Sequence, residues 1–376
     1  ISPYHKGGWR GRLMVGYKPD GKPDVREAYG KTQQECRRKL TELRHRAEQG
    51  GLGTRAADKE SVTAFLGRWL TATAGTLRPQ THASYADIVR VHLAPALGRH
   101  RLTAFRPEHV QAFHAAKLAD GQAPSSVRKY HAVLHKALKD AMRWGQVTRN
   151  VCDAVDLPAA VRKELHPPSV AELVRLLDCA ETADDPLRAF WNVAIYSGCR
   201  RGELLALNWA DVDMDAKTLT VRRTLVSATS GVPRFGEPKT AKSRRTVTLP
   251  TPAVEALRQQ RQRQLADRLA LGPDYASYDL VFSTHLGTAL QARNVHRSFK
   301  AALGRAGLPM TVRLHDLRHA AATMLLQAGV HPKVVSERLG HSTITLTLDT
   351  YSHVVPGLDA DAAARLERVM LGNGAG

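Results

Sequence analysis

The amino-acid sequence predicts a mainly α-helical protein with small β-sheets, an α+β fold. It is arranged as an N-terminal sheet module, a helical domain and a larger mixed domain. Residues 1–30 contain two alternating segments around a turn, and residues 61–150 repeat apolar side chains at helical spacing. The segment after residue 166 mixes both patterns. A chain of 376 residues is long enough for three domains, which we place at 1–55, 59–154 and 166–376.

The first 55 residues predict a three-stranded sheet and one helix. Segments 9–17 (WRGRLMVGY) and 25–29 (VREAY) are the main strands, joined by a Pro-Asp-Gly turn. Thr32 and Glu35 form a capping box that begins a helix, which ends at a pair of glycines starting with Gly50. A sheet with a charged aromatic face suits the major groove of DNA. The alternative is that its aromatic side chains pack on the helix.

Four helices are predicted in the second domain, between linkers at 51–60 and 155–165. Apolar residues recur at intervals of three and four, and Pro107 stands at the first position of the third helix. The predicted helices span 61–70, 85–93, 107–118 and 125–144. The last helix has an apolar face and a charged face. That charged face either contacts phosphates or is simply solvated.

The third domain combines helices with one sheet region. Helices are predicted at 252–269, from 292, from 317, at 332–339 and, as a short amphipathic tail, at 359–370. Strands are predicted at 219–226 and 246–249, with a polar turn from 238 to 245 between them. The apolar side of the tail helix needs a partner, either its own domain or a neighbouring subunit.

The composition indicates a polyanionic partner. Lys and Arg number 55 against 35 Asp and Glu, so the formal net charge is +20 and the pI is near 10.2. Basic side chains gain affinity for any nucleic acid by releasing the counterions of its phosphates. A merely basic surface is the alternative. Residues 1–58 carry 13 Lys/Arg and 7 Asp/Glu, the densest positive charge, so we expect the sheet module to touch DNA itself.

The four cysteines, Cys36, Cys152, Cys179 and Cys199, suit neither a zinc site nor a disulfide framework. This favours a reducing, cytoplasmic compartment. No apolar run is long enough to cross a membrane, so no membrane partner is expected. No signal peptide is recognisable, and because Ile1 rather than Met opens the chain, we expect further residues upstream.

Two arginines, two histidines and a tyrosine stand in local patterns that suit chemistry on a phosphodiester. Arg200 lies in SGCRRGE, His315 and Arg318 lie in HDLR, His341 ends LGH, and Tyr351 follows ten residues later. Guanidinium groups offer a planar fork of donors to phosphate oxygens. An imidazole can move a proton near neutral pH, and a phenol can attack phosphorus when cations or a base assist its ionisation. The combination predicts covalent chemistry on a nucleic-acid backbone.

Each of these residues alone has a simpler explanation. A tyrosine after β-branched residues usually packs, an arginine at a helix start is usually a surface charge, and His341 could merely cap a turn. His315 and His319 have zinc-like spacing, but Asp316 stands where the metalloprotease pattern requires glutamate. We therefore expect no metal. The prediction depends on several patterns occurring in order on one basic chain.

These motifs resemble those of tyrosine recombinases of the phage-integrase type, over residues 166–356. SGCRRGELLAL matches the first arginine box of that family, HDLRH its His-x-x-Arg box, and PKTAKSRRTVTLP its lysine hairpin. LGHSTI and DTYSH match the segment with the second histidine and the nucleophile. The resemblance implies the catalytic residues Arg200, Lys239, His315, Arg318, His341 and Tyr351, with Glu203 supporting the first arginine. Cys199 stands where leucine is commoner, and Lys242 is a nearby alternative to Lys239.

The resemblance also implies a reaction. Tyr351 would attack the scissile phosphate, forming a 3′-phosphotyrosine and freeing a 5′ hydroxyl that Lys239 protonates. Two such rounds through a Holliday junction would exchange the strands. The new ester conserves the phosphodiester energy, so no cofactor, ATP or metal is required. The expected partners are double-stranded DNA attachment sites and a homotetramer on DNA, with a directionality factor and a host DNA-bending protein as candidate accessories.

The layout resembles an arm-site module, a SAM-like core-binding domain and a catalytic domain. Candidate DNA contacts are basic residues of the sheet module and of the last core-binding helix: Arg10, Arg12, Lys18, Lys22, Arg128, Lys129 and Lys136. The separate N-terminal module favours an integrase of a phage or integrative plasmid, acting in a bacterial cytoplasm. The alternatives are a resolvase or transposon recombinase of the same family, a type IB topoisomerase, and a DNA-binding regulator with an inactive site.

Overall fold

The computed structural model describes most of the chain and divides it into two compact units, Ile1–Lys163 and Glu164–Gly376. The described residues are 1–5, 7–17, 22–48, 60–159, 167–237, 243–341 and 343–351, together with 363, 366, 367 and 370. At 17, 46–48, 346 and 349–351 the description covers the backbone alone. Within these ranges, no helix combines the length and the apolar character needed to span a bilayer.

The N-terminal module is an antiparallel sheet with one helix against it. Its elements are β1 (Ser2–Pro3), β2 (Trp9–Tyr17) and β3 (Pro23–Gly30), in the order β1-β2-β3, and helix α1 (Gln33–Glu48). The predicted three-stranded sheet and helix are confirmed. The Glu35 N–H donates to Thr32 Oγ1 (3.2 Å), and the Glu35 carboxylate accepts from the Lys31 N–H (2.8 Å). The helix therefore begins where the capping box predicted.

Strand β2 and helix α1 approach closely at Gly11. A Cβ atom there would lie 3.1 Å from Leu40 Cδ2 and 3.4 Å from Cys36 Sγ. This face of the sheet is therefore covered by α1. Because side chains alternate along a strand, Arg10 and Arg12 lie on the opposite face.

The rest of the first unit is a set of helices around one apolar core. They are α2 (Val62–Thr73), α3 (Pro79–Ile88), α4 (Ala94–Leu97), α5 (Pro107–Ala119) and α6 (Pro124–Arg143). A π-helical turn, Val89–Leu93, joins α3 to α4, so these two form one continuous helical segment. Phe65, Leu66, Trp69 and Leu134 are fully buried. The four predicted helices are confirmed, with α3 and α4 together as the second.

The second of these helices begins at Pro79, earlier than the predicted residue 85. Proline fits the first helical turn, where its missing N–H needs no partner. Residues 79–84 (PQTHAS) have no large apolar side chain, so apolar periodicity does not mark this turn.

The second unit combines helices with two small antiparallel sheets. Numbered along the chain as given below, the strands lie in the orders β4-β5-β8 and β6-β7. Its helices are α7 (Val170–Thr182), α8 (Arg188–Ser197), α9 (Arg201–Leu204), α10 (Thr251–Leu271), α11 (Ala292–Arg305), α12 (Leu314–Gln327), α13 (Pro332–Leu339) and α14 (Ile344–Tyr351). Its strands are β4 (Val212–Asp213), β5 (Thr218–Val221), β6 (Thr224–Thr229), β7 (Val232–Gly236) and β8 (Arg245–Thr248). Four aromatic rings, those of Phe190, Trp191, Phe282 and Phe299, form a buried chain with centroids 5.0–5.4 Å apart. Two of these rings, Phe190 and Trp191, belong to α8, so the packing fixes the position of this helix. The first arginine box follows the end of α8.

The predicted single strand at 219–226 is wrong, because it divides into β5 and β6 of different sheets. The break falls at two arginines with internal partners. Arg222 Nε lies 2.9 Å from Asp211 Oδ1, and Arg223 donates from Nε to the Ala206 carbonyl oxygen (3.1 Å). These contacts turn the chain out of the first sheet and into the β6-β7 hairpin.

Two predicted segments lie largely outside the described residues. Of the polar turn at 238–245, only 243–245 are described. Of the tail helix at 359–370, only 363, 366, 367 and 370 are described, and these four are helical and exposed. What the tail docks on stays a prediction.

Candidate active site

The first arginine box begins at a tight corner after α8. Gly198 follows Ser197 in a left-handed conformation with a φ of 62°. This φ favours glycine, and a Cβ atom at Gly198 would also lie 2.6 Å from Leu339 Cδ2, so that the leucine side chain would have to shift. Arg200 caps α9, donating from its backbone N–H to Glu203 Oε2 (2.9 Å) and from Nη1 to Glu203 Oε1 (2.8 Å). The buried carboxylate of Glu203 thus orients Arg200.

The His-x-x-Arg box occupies the first turns of α12. Arg313 begins this helix by donating from its N–H to Asp316 Oδ2 (2.8 Å), which places His315 and Arg318 one turn apart on the same face. Arg318 is 3% exposed and donates from Nη1 to the Gly198 carbonyl oxygen (2.7 Å). Its Nη2 is buried without a hydrogen-bond partner among the described residues. A buried donor without a hydrogen-bond partner is energetically costly, so Nη2 is suited to bind an anionic ligand.

The second histidine follows α13. The helix ends at Leu339, and Gly340 adopts a left-handed φ of 66° that turns the chain into His341. His341 Nδ1 lies 2.8 Å from Thr347 Oγ1 of α14. The carbonyl oxygen of Gly340 accepts from Arg200 Nη2 (3.1 Å), which joins the first arginine to the turn that carries the second histidine.

A cavity of about 310 Å³ lies between the two arginine boxes. Its lining includes Arg200, His315 and Arg318, together with apolar residues such as Phe190 and Leu314. None of the described residues around it is acidic. Converging cations without a carboxylate in the wall suit a small anionic group such as a phosphodiester.

Burial and mutual repulsion lower the pKa values of Arg318 and His315, which line this cavity, and of His341, which is not among the lining residues. Burial, and then Arg200, lower the pKa of Arg318 to about 10. Burial lowers the pKa of His315 to about 4, with smaller contributions from His319 and Arg318. Burial likewise lowers the pKa of His341 to about 4, together with Arg318 and Arg200. Both imidazoles are therefore neutral at pH 7, and an anion in the cavity would raise their pKa values.

Arg245, the first residue of β8, belongs to the same site, although motif reasoning assigned it only to the end of a polar turn. Its side chain is 7% exposed. Its Nη2 donates to Glu203 Oε2 (2.9 Å), and its Nε donates to the Arg338 carbonyl oxygen (2.6 Å). The sequence signal that could have revealed it is the alternation along β8, in which Arg245 shares the inward face with the buried Val247.

Comparison with known proteins decides which chemistry this site serves. Residues 169–356 match the profile of the phage integrase family, and residues 62–118 match the SAM-like N-terminal domain of phage integrases. The chain belongs to the phage integrase family. It is a tyrosine-type site-specific recombinase, the integrase of a mobile element.

The similarity to other integrases extends over most of the chain. An integrase from Streptomyces ambofaciens is 31% identical, and the match covers 91% of this chain and 88% of the relative. The Tn1549 transposon integrase in complex with a circular intermediate DNA has a TM-score of 0.71 at 18% identity, covering 83% of this chain and all of that one. A lambda integrase tetramer bound to a Holliday junction has a TM-score of 0.59 at 18% identity, covering 93% of both chains. These structures confirm the predicted α+β fold.

Two predicted catalytic side chains of the integrase lie outside the described part of the structure. Lys239, with its alternative Lys242, falls in a segment that is not described, and Tyr351 is described only by its backbone, as the last residue of α14. The catalytic roles of these residues, and of Arg200, His315, Arg318 and His341, stay predictions. The zinc-like pair His315 and His319 places two rings edge to face, with centroids 4.9 Å apart. In the part of the chain that the structure describes, no three potential metal ligands form a cluster.

The N-terminal DNA-contact candidates Arg10 and Arg12 lie on the open face of the integrase's sheet. They pair in register with Tyr29 and Glu27, respectively. Arg12 Nε donates to Glu27 Oε1 (2.8 Å), and the Tyr29 hydroxyl donates to Glu27 Oε2 (2.5 Å). The Arg10 guanidinium lies 5.6 Å from the centroid of the Tyr4 ring. Tyr29 is 43% exposed, so it belongs to this basic aromatic face and does not pack on the helix.

The remaining candidates differ in their surroundings. Lys18 lies outside the described residues, whereas Lys22 and Lys129 are exposed. Arg128 donates from Nη1 to a backbone carbonyl oxygen (3.0 Å), and Lys136 Nζ lies 3.7 Å from a carboxylate of its own helix. These contacts hold Arg128 and Lys136 half-buried against the integrase's own surface. Lys129 is therefore the best placed of the α6 candidates to reach a phosphate.

Proposed function

We propose that the integrase cleaves DNA by attack of Tyr351 on a scissile phosphate that Arg200 and Arg318 clamp. The observation that supports this proposal most strongly is the cavity lined by both arginines and His315. Arg318 Nη2 is buried and has no hydrogen-bond partner among the described residues. Charge on the non-bridging oxygens grows in the transition state, where fixed guanidinium donors stabilise it most. Glu203 orients Arg200 before DNA arrives, so little reorganisation is needed on binding.

Two proton transfers complete the proposed step. As the Tyr351 oxygen bonds to phosphorus, its proton passes to a neutral imidazole, that of His315 or His341. The bond from phosphorus to the 5′ oxygen breaks, and Lys239 donates a proton to that leaving oxygen. The low pKa values of both imidazoles leave them unprotonated at pH 7, and a bound phosphate would raise these pKa values and so make the imidazoles better proton acceptors. Attack by another 5′ hydroxyl on the 3′-phosphotyrosine reverses the step, so the reaction needs no cofactor or external energy source.

We assign DNA binding to all three predicted domains. The module at 1–55 would bind arm sites through the open face of its sheet, the helices at 59–154 would hold the core site, and residues 166–376 would carry out catalysis. The basic aromatic character of the face around Arg12 supports the first assignment. Affinity from phosphate contacts would come largely from the excess of positive charge.

A homotetramer on a Holliday junction is the assembly we propose for strand exchange. The lambda integrase tetramer bound to a Holliday junction supports it at the level of the shared fold. In the tail, Leu366 and Met370 are 64% and 77% exposed, which supports docking of this segment on a neighbouring subunit. A directionality factor and a host DNA-bending protein would assist, and the reaction would take place in the cytoplasm of a bacterial host.

A nicked suicide duplex tests the nucleophile. The core sequence is first mapped by recovering the junctions of the element. Attack then releases a short 5′-hydroxyl fragment that diffuses away, so a covalent complex accumulates and survives denaturing electrophoresis. Wild type and the matched control Tyr278→Phe should trap the duplex, whereas Tyr351→Phe should not. Trapping by Tyr351→Phe would exclude this nucleophile, and no trapping by wild type would favour a DNA-binding regulator with an inactive site.

A further inference from the structure

Arg245, Glu203 and Arg200 form a buried charged cluster that the proposed reaction does not explain. The side chains of Glu203 and Arg245 are 4% and 7% exposed. Glu203 Oε1 accepts from Arg200 Nη1 (2.8 Å), and Oε2 accepts from Arg245 Nη2 (2.9 Å). Arg245 also donates from Nε to the Arg338 carbonyl oxygen (2.6 Å) and from Nη1 to that of Ser243 (3.0 Å). All three nitrogens of its guanidinium have protein partners, so Arg245 is engaged inside the protein and not with DNA.

The charges of this cluster have a consequence for phosphate binding. Burial opposes the ionisation of Glu203, but Arg245 and Arg200 hold the pKa of its carboxyl below the usual range, so Glu203 is an anion. A buried anion paired with Arg200 alone would cancel the charge that attracts the phosphate. With Arg245 included, the three side chains carry a net charge of +1. Because burying ions costs desolvation that their attraction only partly repays, stability alone is a weak reason for such a cluster.

We propose that Arg245 is a positioning residue for DNA cleavage, which binds Glu203 and thereby leaves Arg200 with an uncancelled positive charge aimed at the scissile phosphate. The inference rests on the proposed role of Arg200 as a phosphate clamp. A second contact supports it. Arg245 binds the carbonyl oxygen of Arg338, two residues before Gly340, whose own carbonyl oxygen accepts from Arg200 Nη2 (3.1 Å). Arg245 thus contacts Glu203 directly, and it contacts the backbone two residues before Gly340; Glu203 and Gly340 both accept hydrogen bonds from the Arg200 side chain.

The rate of covalent complex formation on the suicide duplex, at saturating DNA, measures this role. Arg245→Gln is expected to slow the rate by about 100-fold, the low end of the effect of removing a direct transition-state donor. DNA affinity and its salt dependence should not change, because no phosphate contact is lost. Arg305→Gln is the matched control, since it also removes an arginine from a buried aspartate, Asp185. That control should leave the cleavage rate near wild type.

A double variant separates charge compensation from simple structural support. In Arg245→Gln, Glu203→Gln the buried anion is gone, and Arg200 alone restores the net charge of +1. We expect this variant to cleave about tenfold faster than Arg245→Gln, a difference well within single-turnover resolution. A purely structural role predicts that losing a second buried group slows cleavage further, and that result would overturn the inference.

Further outcomes are also decisive. If Arg245→Gln fails to fold, the test uses the double variant and Arg245→Lys, because the first removes the buried carboxylate and the second keeps a cation beside it. Cleavage by Arg245→Lys at the wild-type rate then supports charge compensation. If the double variant cleaves more than about 100-fold more slowly than Arg245→Lys, charge compensation is contradicted. A wild-type rate in folded Arg245→Gln rejects this inference alone, while no covalent complex with wild type rejects the proposed function itself.

Discussion

Arg318 donates from Nη1 to the carbonyl oxygen of Gly198, at 2.7 Å and across 120 residues of sequence. The bond anchors the second arginine to the corner from which the first arginine box begins. It occupies one part of the guanidinium and leaves Nη2, which has no partner in the described part of the chain. Because one carbonyl oxygen orients this fork of donors, the backbone geometry at Gly198 controls the direction in which Arg318 would present Nη2 to the proposed phosphate.

Gly198→Ala is expected to destabilise the integrase by roughly 2 kcal/mol, because a left-handed φ is unfavourable for alanine and the new Cβ would lie 2.6 Å from Leu339 Cδ2. The cleavage rate should fall too, since the displaced carbonyl holds Arg318. Chemical denaturation and suicide-duplex trapping measure the two effects. Gly67→Ala is the control: no described atom outside its own helix lies within 4 Å of an added Cβ, so a stabilisation of about 0.5–1 kcal/mol is expected. Equal stability of wild type and Gly198→Ala would contradict the argument.

Arg318→Lys keeps the charge but loses the planar fork. An ammonium group that bonds to the Gly198 carbonyl cannot also present a second donor in a fixed plane. The covalent complex should therefore form about 100-fold more slowly or worse, while the affinity for DNA changes little because the other basic contacts remain. Trapping kinetics and filter binding check the two parts, with the exposed Arg258→Lys of α10 as the control. A wild-type rate would show that charge alone is enough at this position.

Sequence patterns locate the elements that begin and end with strong local signals. The prediction of α13 at 332–339 is confirmed, because Pro332 suits a first helical turn and Gly340 suits a helix end. Helix α14 has no such signal. Its sequence, ITLTLDTY, is rich in β-branched residues that favour strands, and packing on α13 overrides that propensity.

The candidate active site is predictable from the sequence as far as its motifs are local. Arg200 and Glu203 are three residues apart, and their contact follows from helix geometry. Arg245 is different, because two of its partners, Glu203 and Arg338, lie 42 and 93 residues away in sequence. No spacing rule relates such residues, so only the folded structure reveals the contacts. The division of β5 from β6 cannot be predicted from the sequence either, because the alternation of side chains continues in phase across the break.

Acidic pH is expected to destabilise the free integrase through two histidines of the candidate site, the exposed His315 and the buried His341. The folded pKa values of His315 and His341, about 4, lie below the ordinary value of 6.5. Between these values the unfolded chain binds more protons. Stability is therefore full above pH 6.5 and falls as the pH drops toward 4, by at most about 1.4 kcal/mol per pH unit for the buried His341 and by less for the exposed His315, whose interactions are screened by solvent.

The unfolding free energy of variants between neutral pH and about pH 5 checks this expectation. His315→Gln should lose less stability on acidification than wild type, and the exposed His285→Gln should lose as much. Buried His131, whose pKa burial also lowers to about 4, contributes equally to all three proteins and cancels in the comparison. The same pH dependence in His315→Gln as in wild type would show that the cavity does not hold this imidazole neutral.

Replacing Glu27 by glutamine is expected to raise the affinity of the sheet module for DNA and to lower its sequence selectivity. It is an acidic residue on a basic aromatic sheet face, where it accepts from Arg12 Nε (2.8 Å) and from the Tyr29 hydroxyl (2.5 Å). Glu27→Gln removes a charge that repels phosphates, so affinity for a random duplex should rise. Arg12 then loses the partner that orients its guanidinium. Under the proposed assignment of this face to arm sites, the preference for arm DNA should fall by about tenfold, since a good bidentate contact to guanine discriminates by about 1–3 kcal/mol.

The ratio of the two dissociation constants at one salt concentration isolates the effect of Glu27→Gln on selectivity. Glu42→Gln, which removes an exposed carboxylate from α1, is the matched control. It should raise both affinities together and leave the ratio unchanged, because long-range attraction to phosphates does not depend on base sequence. If Glu27→Gln also kept the wild-type ratio, Arg12 would not read bases through this orientation. The sheet module would then contribute phosphate contacts alone, and selectivity would have to come from other residues.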